Sequence, residues 1–222
     1  VGDPAPGQAR VRHEAVGLNF IDTYHRSGLY PLPLPSGLGL EGAGVVEAVG
    51  EGVTDYKVGD GVVSLFFPGW DDGDAPSMSA LTNVPGDSTD GYARDVVVTP
   101  QHWFTRAPQG YSAAEAATLT CAGLTAWRAL FVDGVTQPGS TVLVQGSGGV
   151  SVFALQFAKA AGAKVIATSS SDAKLERLKA LGADVVKLSW NAVSKAVKYK
   201  VRYSTSSKMA RATTVTQAES KD

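Results

Sequence analysis

The stretch Thr141–Ser171, TVLVQGSGGVSVFALQFAKAAGAKVIATSSS, constrains the fold of this chain more than any other. An apolar run, Thr141–Val144, leads into the glycine-rich turn Gly146-Ser147-Gly148-Gly149. A segment with helical spacing follows through Val152, Leu155, Gln156 and Lys159, closed by Gly162, and a second apolar run occupies Lys164–Ala167. Strand, glycine turn, helix and strand in that order make one right-handed crossover unit. Gly146 permits the tight turn out of the strand, and Gly148 lets the backbone approach a pyrophosphate. The amides that open the helix at Gly149 and Val150, with its positive end, then hold the anion. A crossover with a glycine turn and no ligand is the competing reading. Ser151 stands where the third glycine of the fingerprint usually falls, and serine is small enough for close helix–strand packing.

An acidic residue about 20 residues past such a turn normally holds the adenosine ribose diol. Here the second strand ends in Ala167-Thr168-Ser169-Ser170-Ser171, with no acid before Asp172. The hydroxyls of Ser169 and Ser170, with Lys174 and Arg177 just beyond, suit a 2′-phosphate, so NADPH is the expected cofactor. Ser171 or Asp172 can also cap the helix that ends near Gly182, with Lys174 and Arg177 on its wet face. The two readings are compatible.

A chain of 222 residues with 44% hydrophobic content can bury one large core or two small ones. A formal net charge of −1 gives no field for nucleic acid or a membrane surface. The single cysteine, Cys121, excludes an internal disulfide and a four-cysteine zinc lobe. No run is apolar enough to span a bilayer and no signal peptide is evident, so a cytoplasmic location is expected. The first residue is Val1 rather than methionine, and a fragment or processed piece is expected. Charge is uneven along the chain. Residues 1–186 carry 12 basic and 19 acidic residues, a net −7, whereas residues 187–222 carry 8 and 2, a net +6. That swing predicts a boundary.

Residues 1–64 read as β structure, with runs at Arg10–Val16, Gly44–Val49 and Gly61–Leu65 bounded by glycine, and a turn at Val58-Gly59-Asp60-Gly61. The expected object is a small, partly open barrel. The stretch VGLNFIDTYHRSGLYPLPLPSGLGLEGAGVVEAVGEGVTDYKVGD, Val16–Asp60, closely resembles the quinone oxidoreductase branch of the medium-chain dehydrogenase/reductases. Asn19, Asp22, Tyr24, Gly28, Tyr30 and the run Leu40-Glu41-Gly42-Ala43-Gly44 carry the resemblance. It implies a GroES-like β domain, a Rossmann domain and an active site between them. It also implies that Asn19, Asp22, Tyr24 and Tyr30 lie at the substrate pocket, where they orient and hydrogen-bond an acceptor. Ordinary packing of Tyr24 and Tyr30 at a loop is the alternative.

Zinc-dependent members of that family use an early cysteine, a histidine before the glutamate of the glycine-rich run, and a second cysteine near the domain junction. The corresponding positions here fall in Asn19-Phe20-Ile21-Asp22, at Leu40, and near Cys121. A catalytic zinc needs three protein ligands and an open position, which one cysteine cannot supply. His13, His25 and His102 lack ligand spacing and read as structural or surface residues, and Cys121 as a small buried hydrophobe. No metal site is expected. Without zinc the acceptor must take the negative charge itself, as a quinone or an activated double bond does.

Residues 65–92 form a long loop rich in Gly, Pro and Asp, of the kind that covers sites. Phe66, Phe67 and Trp70 either line the acceptor cleft or pin the loop to the barrel. Ala93–Thr99 resumes a strand. Ser112 and Glu115 form a capping box that opens a helix, and Ala113–Leu119 and Leu124–Val132 have helical spacing. Ser112–Phe131 and the stretch from Thr141 to Asp184 resemble a second zinc-lacking, alcohol dehydrogenase-like branch of the same superfamily. Gly182-Ala183-Asp184-Val185-Val186 reads as a third sheet strand, and the resemblance stops there. Beyond it, Val197, Tyr199, Val201 and Tyr203 alternate with Lys198, Lys200 and Arg202 as a strand with one wet face. Leu188-Ser189-Trp190 and Tyr199–Ser204 are similar to part of a fibronectin type III domain.

The expected fold class is α/β plus β. A GroES-like domain spans 1–108, an incomplete Rossmann domain with a doubly wound parallel sheet spans 109–186, and a basic β-rich tail spans 187–222. The expected function is zinc-independent hydride transfer from NADPH to a small quinone or enone, with a homodimer implied by the resemblance through late strands. Two alternatives stay open: a truncated, non-catalytic member that binds nucleotide weakly, and an interaction module built on the tail.

Overall fold

The structure, a computed structural model, describes residues 1–31, 36–70, 73–74, 77–169, 171–186, 198–203 and 213–218. They fall into two compact units, 1–186 and 187–222.

Strand β1 (Gln8–Gly17) starts the first unit. Its alternation sends Ala9 and Val11 inward, where neither retains exposed surface. It pairs antiparallel with β2 (Glu41–Val49) and with β4 (Val96–Pro100). Strands β3 (Gly61–Ser64) and β5 (Phe104–Arg106) complete a five-stranded sheet of order β4-β1-β2-β3-β5. Two register shifts in the β1–β2 pair, at Arg10/Val11 and His13/Ala15, bend the sheet over a core of Val46, Val62, Tyr92, Val97 and Phe104.

Residues 1–64 are not all β. Phe20–Ser27 is a helix, α1. Asp22 at its third position reaches back to the Asn19 N–H at 2.7 Å, and Gly28 ends it in a left-handed conformation at φ 76°. Eight residues are two turns, too few for a helical period to stand out among strands. The long connection after β3 is stapled along 37–39 by Gly91, Tyr92 and Ala93, whose N–H groups donate to the carbonyls of Gly37, Gly39 and Leu38. A side chain on Gly91 would strike the Leu38 carbonyl, so that close approach requires glycine.

The junction opens as the sequence predicts. Ser112 Oγ accepts from Glu115 N at 3.3 Å while Glu115 Oε2 accepts from Ser112 N at 2.9 Å. Residues 113–132 then run as one irregular helical path: α2 (Ala113–Ala116), a π-helical turn at Leu119–Gly123, α3 (Leu124–Trp127) and a second π turn at Arg128–Val132.

The second half of the unit is parallel. Strands β6 (Thr141–Gln145), β7 (Lys164–Thr168) and β8 (Asp184–Val186) lie in that order, joined by α4 (Gly149–Ala160) and α5 (Asp172–Ala180). Val144, Leu155, Ala158, Val165, Ala167, Leu175 and Leu178 form its core. Among the described residues β6 pairs on one side only, with β7. In the second unit β9 (Lys198–Tyr203) pairs antiparallel with β10 (Thr213–Ala218), Val201 opposite Val215. Leu188-Ser189-Trp190 lies outside the described residues.

Candidate active site

Gly146 leaves β6 at φ 82°, and its N–H donates to the Thr168 carbonyl at 2.9 Å, tying the turn to the end of β7. Gly148 is the N-cap of α4, and no side chain caps the helix start. The first N–H groups of a helix have no intrahelical partner. A Cβ on Gly148 would meet nothing within 4 Å, so packing does not demand glycine there. Open space in front of uncapped amides is a cradle that a phosphate fits. Gly149 is constrained from behind, since its Cβ would sit 3.1 Å from Ala122 Cβ. Ser147 is half-buried and Val150 is exposed. Ser151, in place of a third glycine, donates from Oγ to the Gln145 carbonyl at 2.7 Å, which turns its hydroxyl back into the strand end. Ser169 is half-buried just past β7, Lys174 is exposed on α5, and Ser170 lies outside the described residues.

A cavity of about 530 Å³ opens elsewhere in the first unit. Leu65, Phe66, Phe67 and Trp70 of the barrel lobe line one side, and Thr120, Cys121, Leu124, Trp127 and Arg128 of the junction line the other. Phe66, Phe67 and Trp70, which the sequence left between lining a cleft and pinning the loop, line this cavity. Phe66 and Phe67 pack edge to face at 4.6 Å, and Trp70 lies 6.0 Å from Phe67, so they hold one another while walling the cavity.

Glu41 organises the wall behind the cavity. It is 2% exposed, the first residue of β2, and three donors surround it. Asn19 Nδ2 donates to Oε1 at 2.8 Å, while Cys121 N at 2.8 Å and Thr120 Oγ1 at 3.2 Å donate to Oε2. This carboxylate therefore ties α1 to the junction. It also marks where the junction helix widens, because the Cys121 N–H is spent on Glu41 within the π turn. A side chain on Gly17 would strike Glu41 and the Ala117 carbonyl. Burial pushes the Cys121 thiol up to about 11, and the charges of Glu41 and Asp22 push in the same direction.

The four residues expected on the substrate side are brought together around α1, and none lines the cavity. Asn19 and Asp22 are engaged within the fold. Asp22 is 5% exposed, with Oδ2 on Asn19 N and Oδ1 accepting from Gly39 N at 3.2 Å. Tyr24 and Tyr30 form an aromatic group with Phe20, at 5.2 Å from Tyr24 to Phe20 and 5.3 Å from Tyr24 to Tyr30. Glu41 and Arg128 escaped the sequence reading as functional candidates. The signal for Glu41 was an acid opening the small and apolar run Glu41–Val46, a pattern that a partnered buried charge produces. Among the described residues no group of three or more His, Cys, Asp and Glu is placed to hold a metal ion. Among them, too, no helix is long and apolar enough to cross a membrane.

Comparison with known proteins agrees with this architecture. Residues 5–109 match the alcohol dehydrogenase GroES-like domain, and residues 149–214 match the zinc-binding dehydrogenase domain, which runs past 186. The chain belongs to the medium-chain dehydrogenase/reductase family. A zinc-type alcohol dehydrogenase-like protein of Schizosaccharomyces pombe is 48% identical over 182 residues, covering 80% of this chain and 52% of the relative. The Escherichia coli quinone oxidoreductase solved with NADPH superposes with a TM-score of 0.67 at 35% identity, covering 84% of this chain and 52% of that one. An NAD-dependent alcohol dehydrogenase superposes at 0.72 with 40% identity, covering 84% and 57%. The chain thus spans about half the length of the relatives it matches.

Proposed function

We propose that this chain carries the machinery of a zinc-independent reductase that passes hydride from NADPH to a flat, apolar acceptor, a quinone or an alkene conjugated to a carbonyl. One observation carries the reading. Gly149 of the phosphate turn abuts Ala122, the neighbour of cavity residue Cys121, so the turn and the apolar cavity share a wall.

In this reading Gly146, Ser147, Gly148, Gly149 and Val150 hold the pyrophosphate. Ser169, Ser170 and Lys174 meet the 2′-phosphate, which the absence of an acid at the end of β7 supports. The bound nicotinamide supplies the hydride. The protein's own residues exclude water with Leu65, Phe66, Phe67 and Trp70, and fix the cavity wall through Glu41. Asn19, Asp22, Tyr24 and Tyr30, none of which lines the cavity, act by position around α1. The donor set does not suit a catalytic zinc, since Leu40 stands where a histidine would be needed and Asn19 is bonded to Glu41, which leaves Cys121 without the two further ligands required. The same reading divides the chain into a substrate domain at 1–108, a nucleotide domain at 109–186 and a tail at 187–222.

A second reading, a nucleotide-binding but non-catalytic protein, draws on the one-sided pairing of β6. The fourth strand of a doubly wound sheet would sit there and help wall the nicotinamide. Thermal melting with NADPH or NADH, followed by addition of menadione, separates the readings. The proposed reductase shows a larger midpoint rise with NADPH than with NADH, then loss of reduced-cofactor absorbance. A midpoint rise without turnover supports the second reading. No shift with either nucleotide overturns both.

A further inference from the structure

One cation lines the cavity, and it is occupied in an uncommon way. The Arg128 guanidinium lies over the Trp70 ring, 4.5 Å from its centroid. Its Nη1 donates to the Gly73 carbonyl at 3.3 Å, and its Nη2 lies 3.6 Å from Asp133 Oδ1. The side chain is 27% exposed. Arg128 begins the second π turn of the junction, while Trp70 and Gly73 belong to the loop that follows β3. Trp70 is in turn fixed to its own loop, its N–H donating to the Phe67 carbonyl at 3.0 Å. One planar fork thus joins the two walls of the cavity, with a stacked face, a backbone acceptor and a carboxylate each using a different part of it.

An exposed ion pair alone would contribute little. The stack and the carbonyl bond change that, and both need a flat, delocalised cation. Arg128 also occupies one face of Trp70, so a flat ligand cannot use that face while the contact holds.

We infer that Arg128 is a positioning residue that latches the wall formed by Phe66, Phe67 and Trp70 to the junction and so sets the width, and the acceptor preference, of the cavity. This rests on the reading of the cavity as the acceptor site. With the latch closed, Phe66, Phe67 and Trp70 stay against the cavity and a bicyclic quinone fits between them and Trp127. With it open, the wall moves away and a bicyclic acceptor loses contacts that a single ring does not make.

The test uses the full chain with Arg128→Met, which keeps length without charge, and Arg128→Lys, which keeps charge without the fork. Chymotrypsin cleavage after Phe66 or Trp70 reports opening of the wall, because the rate follows the open population. Cleavage is expected to rise about five-fold or more in Arg128→Met, and by a comparable factor in Arg128→Lys. Menadione affinity, read by tryptophan quenching without nucleotide, falls in parallel, while 1,4-benzoquinone affinity changes less than about two-fold. Asp133→Asn, which leaves the stack in place, has a smaller effect on both. Should Arg128→Met fail to fold, Trp70→Leu removes the other half of the contact and is held to the same outcomes. Cleavage and menadione affinity equal to the parent in the Arg128 variants would overturn the inference. A parent that binds no menadione overturns the acceptor reading instead, while the cleavage rates still decide whether the latch exists.

Discussion

The two halves of residues 1–186 use polar groups in opposite ways. The barrel lobe buries Asp22, His25, Glu41, Ser64 and Thr99. Among the described residues, the β6–β8 half buries no polar side chain to the same degree. In the barrel, then, the groups that shape the site are also groups that hold the lobe together. In the parallel half the shaping groups are backbone amides at Gly148 and Gly149, and the core lies elsewhere. Stability and function should be entangled in the first half and separable in the second.

Leu155→Ala probes the apolar half where it is strongest. Leu155 has no exposed surface and lies beneath the crossover. Its truncation should cost about 2–5 kcal/mol, the largest loss expected, read as a shift in urea midpoint at constant slope.

Glu41 probes the entangled half. Glu41→Leu leaves Asn19, Thr120 and Cys121 donors facing an apolar group and should cost about 3 kcal/mol. Glu41→Gln keeps an acceptor for the junction, and the Asn19 amide can flip to meet the new NH₂ group, so about 1 kcal/mol is expected. Equal losses for the two variants, measured by urea unfolding, would break the comparison, because the hydrogen bonds would then not be what the carboxylate contributes.

Gly148→Val is the smallest in stability and the sharpest in function. Its Cβ meets open space and its φ of −75° suits any residue. Unfolding should change by no more than about 1 kcal/mol. NADPH affinity, measured by calorimetric titration, should fall at least about ten-fold, because the side chain fills the phosphate cradle. A large stability loss would show that the two halves differ less than their cores suggest.

The same contrast explains what could be read from sequence. The crossover was legible because its strand, glycine turn and helix are contiguous in the chain and each carries its own local pattern. The capping box at Ser112 and Glu115 was legible for the same reason. Glu41 was not, since its partners lie 22 and 80 positions away and meet it only when the barrel closes. Helix α1 was hidden by its length. The π turns were hidden because a wider turn over five residues leaves no change in apolar spacing. Arg128 lay unmarked within a helical run, and only the fold brings Trp70 and Gly73 over it. Residues placed on the substrate side by resemblance, such as Asp22, prove to have both carboxylate oxygens engaged within the fold.

If the cavity admits electrophiles, as proposed, the buried thiol has a consequence. Quinones and enones add covalently to thiolates, and the rate follows the ionised fraction of the sulfur. Cys121 lines the cavity, yet with its thiol held up at about 11 it stays protonated across the physiological range. Burial, with the neighbouring charges of Glu41 and Asp22, would thereby protect the chain from arylation by an acceptor of the proposed class. A site of this kind can meet a reactive acceptor many times without being consumed by it.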